Sequence, residues 1–210
     1  GSKTLKAVAV FGSNRKIEIA REGEFRILLT EAHRILKASY TAQDLSNYGT
    51  SGGLLSLNAL GALPTRNFQR GVFEGSEEIS GQRMAETILV RSDSCASCPV
   101  GCKRVVAARF ADQEVDPRYG GPEYETVASF GSLLLNDDLE AIALANQKCN
   151  AYGLDTISTG VVLAWAIEAT ERGLIESDLR WGDPHAILEM IDLIVRREGL
   201  GDELARGIDY

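Results

Sequence analysis

Long apolar runs are missing from this chain. None of its 210 residues belongs to a stretch approaching the roughly 20 needed for a helical membrane span, so no membrane role is expected. A positive charge balance is missing too: 22 Lys and Arg stand against 30 Asp and Glu, a net −8. This argues against nucleic acid as a partner class, because phosphate binding rests on basic patches. No secretory signal precedes Lys3–Val10, and Gly1-Ser2 reads as an expression-tag scar, which predicts a cytoplasmic protein with reduced or metal-bound thiols. No internal repeat or low-complexity tract is present. The glycine cluster Tyr48-Gly-Thr-Ser-Gly-Gly53 lacks the G-x-x-x-x-G-K-[ST] signature, so it is weak support for a phosphate loop. Cysteine is scarce, with four in the whole chain.

That scarcity makes the placement of the cysteines informative. Three of them fall in Cys95-Ala-Ser-Cys98-Pro-Val-Gly-Cys102, a C-x2-C-x3-C loop in which Pro99 and Gly101 let the backbone wrap round a ligand. Thiols this close on a short loop pair poorly as disulfides, because bridged Cα atoms need a specific separation. As thiolates they suit an iron–sulfur cluster or zinc; reduced, idle thiols are the alternative. Cys149 is either a fourth ligand or, since it sits on the apolar stripe of a helix, a small buried hydrophobe, which is the better fit.

A chain of this length, 44% hydrophobic and 25% charged, can bury a substantial core as one large or two small domains. Residues 3–20 read as two short strands around Gly12-Ser13-Asn14. Beyond them the periodicity is helical. Phe25, Leu28, Leu29 and Leu36 share one helix face with His33 at its core edge, and a short helix is expected over 54–60. Pro64 interrupts the segment Gly61-Ala-Leu-Pro-Thr-Arg-Asn67. A helix capped by Asp137 runs to Tyr152 with Gly153 after it; a second covers 156–172; a third starts at Asp183-Pro184 and stops at Gly199. The predicted fold is mainly α, a multihelical domain over 21–210 with a short β-strand fringe at the N-terminus. The abrupt apolar start and the helix-like end at 204–210 read as a piece of something larger.

Two further constellations carry chemistry. In Asn150-Ala-Tyr-Gly153-Leu154-Asp155-Thr156, Gly153 permits a left-handed turn and Asp155 stands at the N-terminus of the next helix, as a cap or as an acceptor for N–H donors of a heterocycle. In Gly121-Pro-Glu123-Tyr-Glu125-Thr126, two carboxylates flank a tyrosine beside an apolar stretch, which suits proton transfer or a polar helix start.

Together these motifs resemble the aldehyde ferredoxin oxidoreductase family of tungsten or molybdenum bis-pterin enzymes. The likeness lies in Cys95-x2-Cys98-x3-Cys102, Gly121-Pro-Glu-Tyr-Glu-Thr126, Asn136-Asp-Asp-Leu-Glu-Ala141, Cys149-Asn-x-x-Gly-Leu-Asp-Thr-Ile-Ser158 and Gly61-Ala-Leu-Pro-Thr-Arg-Asn67. The resemblance implies that Cys95, Cys98 and Cys102 supply three of four ligands to a [4Fe–4S] cluster. It implies that Asn150, Gly153, Leu154 and Asp155 hold one pterin of a tungsten or molybdenum bis-pterin. Glu125, or failing that Glu123, would handle protons as an aldehyde is oxidised to a carboxylic acid, with electrons leaving through the cluster to ferredoxin. Asn150 departs from the aspartate of the family motif. The fourth cluster cysteine would lie beyond residue 210 and a β-rich pterin domain before residue 3, with 3–20 as its last strands. The chain would thus be the first helical domain, inactive alone and partnered by the missing N- and C-terminal domains; a homo-oligomer is left open. Competing readings are a relative acting on aromatic acyl-CoA or hydroxyacids, and a zinc module built on all four cysteines.

Overall fold

A computed structural model of the chain describes residues 7–12 and 17–207. The chain divides into two compact units, Gly1–Gln43 and Asp44–Tyr210. In the first, helix α1 (Glu22–Ala38) contains the expected amphipathic stretch and has no buried residue. Phe25, Leu28 and Leu29 of its apolar stripe are exposed, as is His33. Ion pairs one turn apart, Arg26–Glu22 at 2.7 Å and Arg34–Glu31 at 2.6 Å, line its surface.

The expected N-terminal strands are not seen among the described residues. Residues 7–12 and 17–19 carry no strand, and the Ser13-Asn14 turn lies outside the described residues. Val8, Val10, Phe11 and Ile17 are exposed, and an isolated pair of strands is marginal in water without further strands or a helix to cover it. The β structure lies elsewhere, at residues 89–115, where β-branched residues have neighbours to pack on.

The second unit follows α2 (Tyr40–Tyr48), which crosses the division. A 3-10 turn (Thr50–Gly53) leads into α3 (Leu54–Ala59), and α4 (Gly81–Thr87) follows. Two antiparallel hairpins come next: β1 (Leu89–Asp93) with β2 (Lys103–Val106), and β3 (Ala108–Phe110) with β4 (Gln113–Val115). The register pairs Asp93 with Lys103 at the open end of the first hairpin. The rest is helical: α5 (Tyr124–Phe130), α6 (Leu139–Tyr152), α7 (Thr156–Glu171), α8 (Pro184–Arg196) and α9 (Leu200–Leu204). The protein is mainly α.

The core lies between α5, α6, α7 and α8, around fully buried Phe130, Leu134, Ile142, Leu163 and Ile167. Lys148 of α6 reaches Asp192 of α8 with both carboxylate oxygens within 2.8 Å, tying the two helices across a partly buried contact. The cap of α6 is one residue later than expected. Asp138, not Asp137, accepts the N–H of Ala141 at 2.9 Å, because Asn136 takes the Asp138 N–H and turns the chain there. The caps at Asp155 and Asp183 fall where the sequence puts them.

Candidate functional site

The cysteine triplet forms the connection between β1 and β2. Pairing ends at Asp93 and Lys103, so Cys102 sits at the hairpin mouth and Cys95 just past it on the other strand. Inside the loop the Cys98 N–H donates to the Cys95 carbonyl at 3.0 Å, closing a turn through Ser97, whose φ is +59°. Cys95 is exposed and Cys98 and Cys102 are half-buried. The three thiols are not gathered round one ion-sized point: among the described residues no group of three His, Cys, Asp or Glu side chains is arranged to hold a single metal ion. An all-sulfur donor set on one wide loop suits a cluster, whose iron atoms lie apart, better than a single hard cation. Cys149 is elsewhere, fully buried on α6. Burial pushes its thiol up to about 11, the Asp155 charge adds to this and the Thr159 hydroxyl works the other way. A thiol so disposed is a core hydrophobe, not a thiolate ligand.

What shapes the loop is Arg104, only 3% exposed. Its guanidinium donates to four backbone carbonyls: Gly101 at 2.7 Å and Cys102 at 3.1 Å in the loop, and Ser46 and Asn47 at 2.9 Å in the last turn of α2. The side chain thus stitches the cysteine loop to a helix C-terminus, where a cation is favoured. Burial lowers its pKa, while nearby Cys102 and Glu123 pull it back up. Gly49 (φ +70°) lets the backbone pass against this stitch, since a Cβ there would stand 3.0 Å from the Cys102 carbonyl and 3.1 Å from the Arg104 side chain.

A cavity of about 440 Å³ opens beside the hairpin. Lys103 and Arg104 form one wall, Glu123 and Thr126 another, and Asn146, Asn150 and Thr156 the third. It brings the base of the cysteine loop, the first carboxylate and the α6–α7 turn to one space. Glu123 accepts a 2.6 Å hydrogen bond from the Thr50 hydroxyl, which in turn accepts the Tyr124 N–H at 2.8 Å. Asn150 donates its amide to the Asn146 carbonyl at 2.9 Å and to the Asn146 side-chain oxygen at 3.1 Å. An aspartate could make neither bond, so the departure at position 150 fixes the side chain through its own NH2 group.

The turn itself is rigidly specified. Gly153 (φ +76°) is the left-handed C-cap of α6, and the Gly153 and Leu154 N–H groups both donate to the Cys149 carbonyl. Leu154 packs on the core. Asp155 caps α7 by accepting the Ser158 N–H at 2.7 Å, and that bond, with the Ser158 hydroxyl, holds its carboxyl below the usual range. Asp155 does not line the cavity; its neighbour Thr156 does, bonded to Thr126 at 2.8 Å.

Glu125 points its chemistry to a different place. It borders a second pocket, of about 150 Å³, walled by Pro64, Tyr124, Ile157 and other apolar groups. Burial raises the pKa of Tyr124, and the Glu125 charge adds to the effect. The structure thus separates the two carboxylates, Glu123 to the polar cavity and Glu125 to the apolar one.

A family model for aldehyde ferredoxin oxidoreductase, domains 2 and 3, matches residues 27–210. The chain belongs to the aldehyde ferredoxin oxidoreductase family. It is 40% identical over 99% of its length to a tungsten-containing aldehyde ferredoxin oxidoreductase of Thermococcus kodakarensis, covering 34% of that protein. The corresponding Pyrococcus furiosus protein is 39% identical over the same share of the chain. An aliphatic sulfonate oxidoreductase, WOR-like subunit, also of Pyrococcus furiosus, is 30% identical. The chain spans about a third of the length of these relatives. The active-site complex BamBC of benzoyl coenzyme A reductase, solved with 1,5-dienoyl-CoA, aligns with a TM-score of 0.55 at 22% identity, over 79% of this chain and 24% of that one, a likeness of fold.

For an aldehyde ferredoxin oxidoreductase family member, the residues present fit the group that tungsten relatives imply. The thiols supply soft sulfur donors, and the 440 Å³ cavity is of ligand size and lined by amide, hydroxyl and cationic groups. Sequence reading missed Arg104, Lys103 and Asn146. Arg104 had a signal, a cation two residues after a thiolate loop, but its partners at Ser46 and Asn47 are more than fifty residues away and show no local pattern.

Proposed function

We propose that the chain is the cluster- and pterin-bearing segment of a tungsten-dependent enzyme that oxidises aldehydes to carboxylic acids and passes the electrons to ferredoxin. The observation that carries this reading is the cavity shared by the base of the cysteine hairpin and the Asn150–Thr156 turn. A cofactor seated there would lie against the loop that delivers electrons outward. Cys95, Cys98 and Cys102 would hold three corners of a [4Fe–4S] cluster, and a cysteine from another part of the same protein the fourth. Asn150, Thr156 and the Gly153-Leu154-Asp155 turn would seat one pterin, Asp155 accepting from its N–H groups with the oxygen that does not cap α7. When bound, the metal–pterin group supplies the two-electron acceptor.

The reaction balances with water: an aldehyde and a water give a carboxylic acid, two protons and two electrons. Glu125 would take a proton as water adds, since its carboxylate stands at the border of the second pocket. Glu123, already engaged by Thr50, would hold the polar side of the cavity in place. The burial of Cys149 speaks against a four-thiolate zinc module. Reduced thiols suit a cytoplasmic setting, and the one-third span supports further domains of the same enzyme, so that the 210-residue chain alone would hold neither an intact cluster nor a pterin.

The test is metal analysis of the anaerobically purified full-length protein. Tungsten with about four irons per chain is expected, together with ferredoxin reduction that depends on an aldehyde. Cys98→Ser should lose most of the iron, and Asp155→Ala should lower tungsten several-fold while the fold is retained. Zinc in place of iron, or metal contents indifferent to both changes, would refute the reading.

A further inference from the structure

The second pocket is set back to back with the polar cavity. Along α5 the chain gives Glu123 and Thr126 to the polar side and Tyr124 and Glu125 to the apolar side. The first turn of α7 does the same, with Thr156 on one side and Ile157 on the other. Thr126 and Thr156, hydrogen-bonded to each other at 2.8 Å, belong to the polar side. Apart from Glu125 at its border, the pocket is lined almost wholly by apolar surface, from Pro64, Phe68, Leu133, Ile157 and Val161 among others.

One wall is built against backbone preference. Arg66, Asn67 and Phe68 all have positive φ, at +46°, +48° and +62°, and none is glycine. Each such residue carries a steric cost, and successive ones persist only where surrounding contacts over-determine them. Those contacts are present. The Arg66 and Asn67 N–H groups donate to Ser132 and Leu133 carbonyls at 3.1 and 3.0 Å. The Asn67 amide meets Glu168 at 2.6 Å, and Arg66 meets Glu171 at 2.7 Å while lying 5.4 Å over the Trp181 ring. The product of all this is one exposed aromatic ring: Phe68 is 63% exposed at the edge of the pocket that Ile157, 44% exposed, also lines. A side chain that needed only burial would not need a strained turn to hold it out.

We propose that this pocket receives the apolar group of the aldehyde substrate, an alkyl chain or phenyl ring of about six carbons, and that Phe68 sets that size. The volume of about 150 Å³ equals that of an engineered Leu/Ile/Phe-lined protein cavity that stays dry and binds benzene. The carbonyl end of a seated substrate would lie at Glu125, the carboxylate of this pocket's lining. This assignment rests on the reading of the chain as part of an aldehyde-oxidising enzyme, and it names the residues that select among aldehydes.

The experiment uses the full-length protein and two variants, Phe68→Ala and Ile157→Phe, with acetaldehyde, hexanal and benzaldehyde. Loss of one apolar wall in such a pocket is worth about tenfold in discrimination. Phe68→Ala should lower kcat/KM for benzaldehyde and hexanal about tenfold relative to acetaldehyde, chiefly through KM. Ile157→Phe narrows the pocket and should reverse benzaldehyde preference in favour of acetaldehyde. Independently of turnover, an alkyl diazirine carboxylate of six carbons should label Phe68, Ile157 or their neighbours on irradiation, as mapped by mass spectrometry. Unchanged ratios in both variants, or label only outside this pocket, overturn the inference. A wild-type protein that oxidises no aldehyde refutes the function instead, and the labelling then decides the pocket by itself.

Discussion

The cysteine loop and the α6–α7 turn border the same region and are held in opposite ways. In the turn the named bonds are local: Asp155 takes Ser158, Asn150 is fixed to Asn146, and two N–H groups share the Cys149 carbonyl. Leu154 anchors it in the core. In the loop the backbone is pinned by one side chain, Arg104, and the cysteines form no disulfide among the described residues. The turn is held by bonds within a few residues of chain. The loop is held by one buried cation that reaches back to a distant helix.

The largest effect that would break this contrast is loss of the pin. Arg104→Met leaves four carbonyls without their donor, and a hydrogen bond to a charged group contributes at least about 1 kcal/mol. A loss of about 4 kcal/mol is expected in urea unfolding, with Arg104→Lys recovering part of it, since an ammonium reaches fewer of the four acceptors at once. A loss below about 1 kcal/mol would show that the loop is held by something other than this stitch.

Next in size is the difference between the loop thiols and Cys149. Its pKa stands above the ordinary thiol value of 9.0, at about 11, chiefly through burial. Because the folded-state value is raised, the protonated thiol favours the fold. That contribution is complete below the unfolded pKa and is lost as pH climbs through the folded one. Stability should therefore fall between about pH 9 and 11 by up to roughly 2–3 kcal/mol, two units at about 1.4 kcal/mol each. Cys149→Ala should flatten this stretch of the curve. Alkylation should sharpen the same point: at pH 8 iodoacetamide should modify Cys95, Cys98 and Cys102 in the folded protein, and Cys149 only after denaturation. Equal rates at all four would place Cys149 with the loop.

How much of this was legible in the sequence follows the range of the interactions. The α6–α7 turn could be read because its causes are local: a glycine at the C-cap, an aspartate at the N-cap, hydrophobic spacing on either side. The helix starts at Asp155 and Asp183 followed for the same reason, and the shift of the α6 cap from Asp137 to Asp138 came from Asn136, a competing short-range acceptor. The hairpin carrying the cysteines was missed, since its two strands are short and separated by the loop itself. The division of labour between Glu123 and Glu125 was also out of reach. Two residues apart in sequence, they face different cavities only because α5 begins between them, with Thr50, seventy-three residues away, holding one of them. The left-handed run at Arg66–Phe68 has only Asn67 as a sequence signal, because arginine and phenylalanine adopt that conformation under tertiary constraint.

The smallest effect tests the turn's self-sufficiency. Gly153 has φ +76° and open space where a Cβ would stand, so Gly153→Ala meets no clash and its cost is conformational alone. A non-glycine residue in this region costs about 1–2 kcal/mol, part of which is offset because alanine also restricts the unfolded chain. A net loss of about 1 kcal/mol is expected, seen as a lower urea midpoint with unchanged slope. Gly153→Asn should cost less, since asparagine tolerates the left-handed conformation. Were Gly153→Ala to cost as much as Arg104→Met, the turn would depend on distant packing no less than the loop does, and the contrast between local and long-range support would fail.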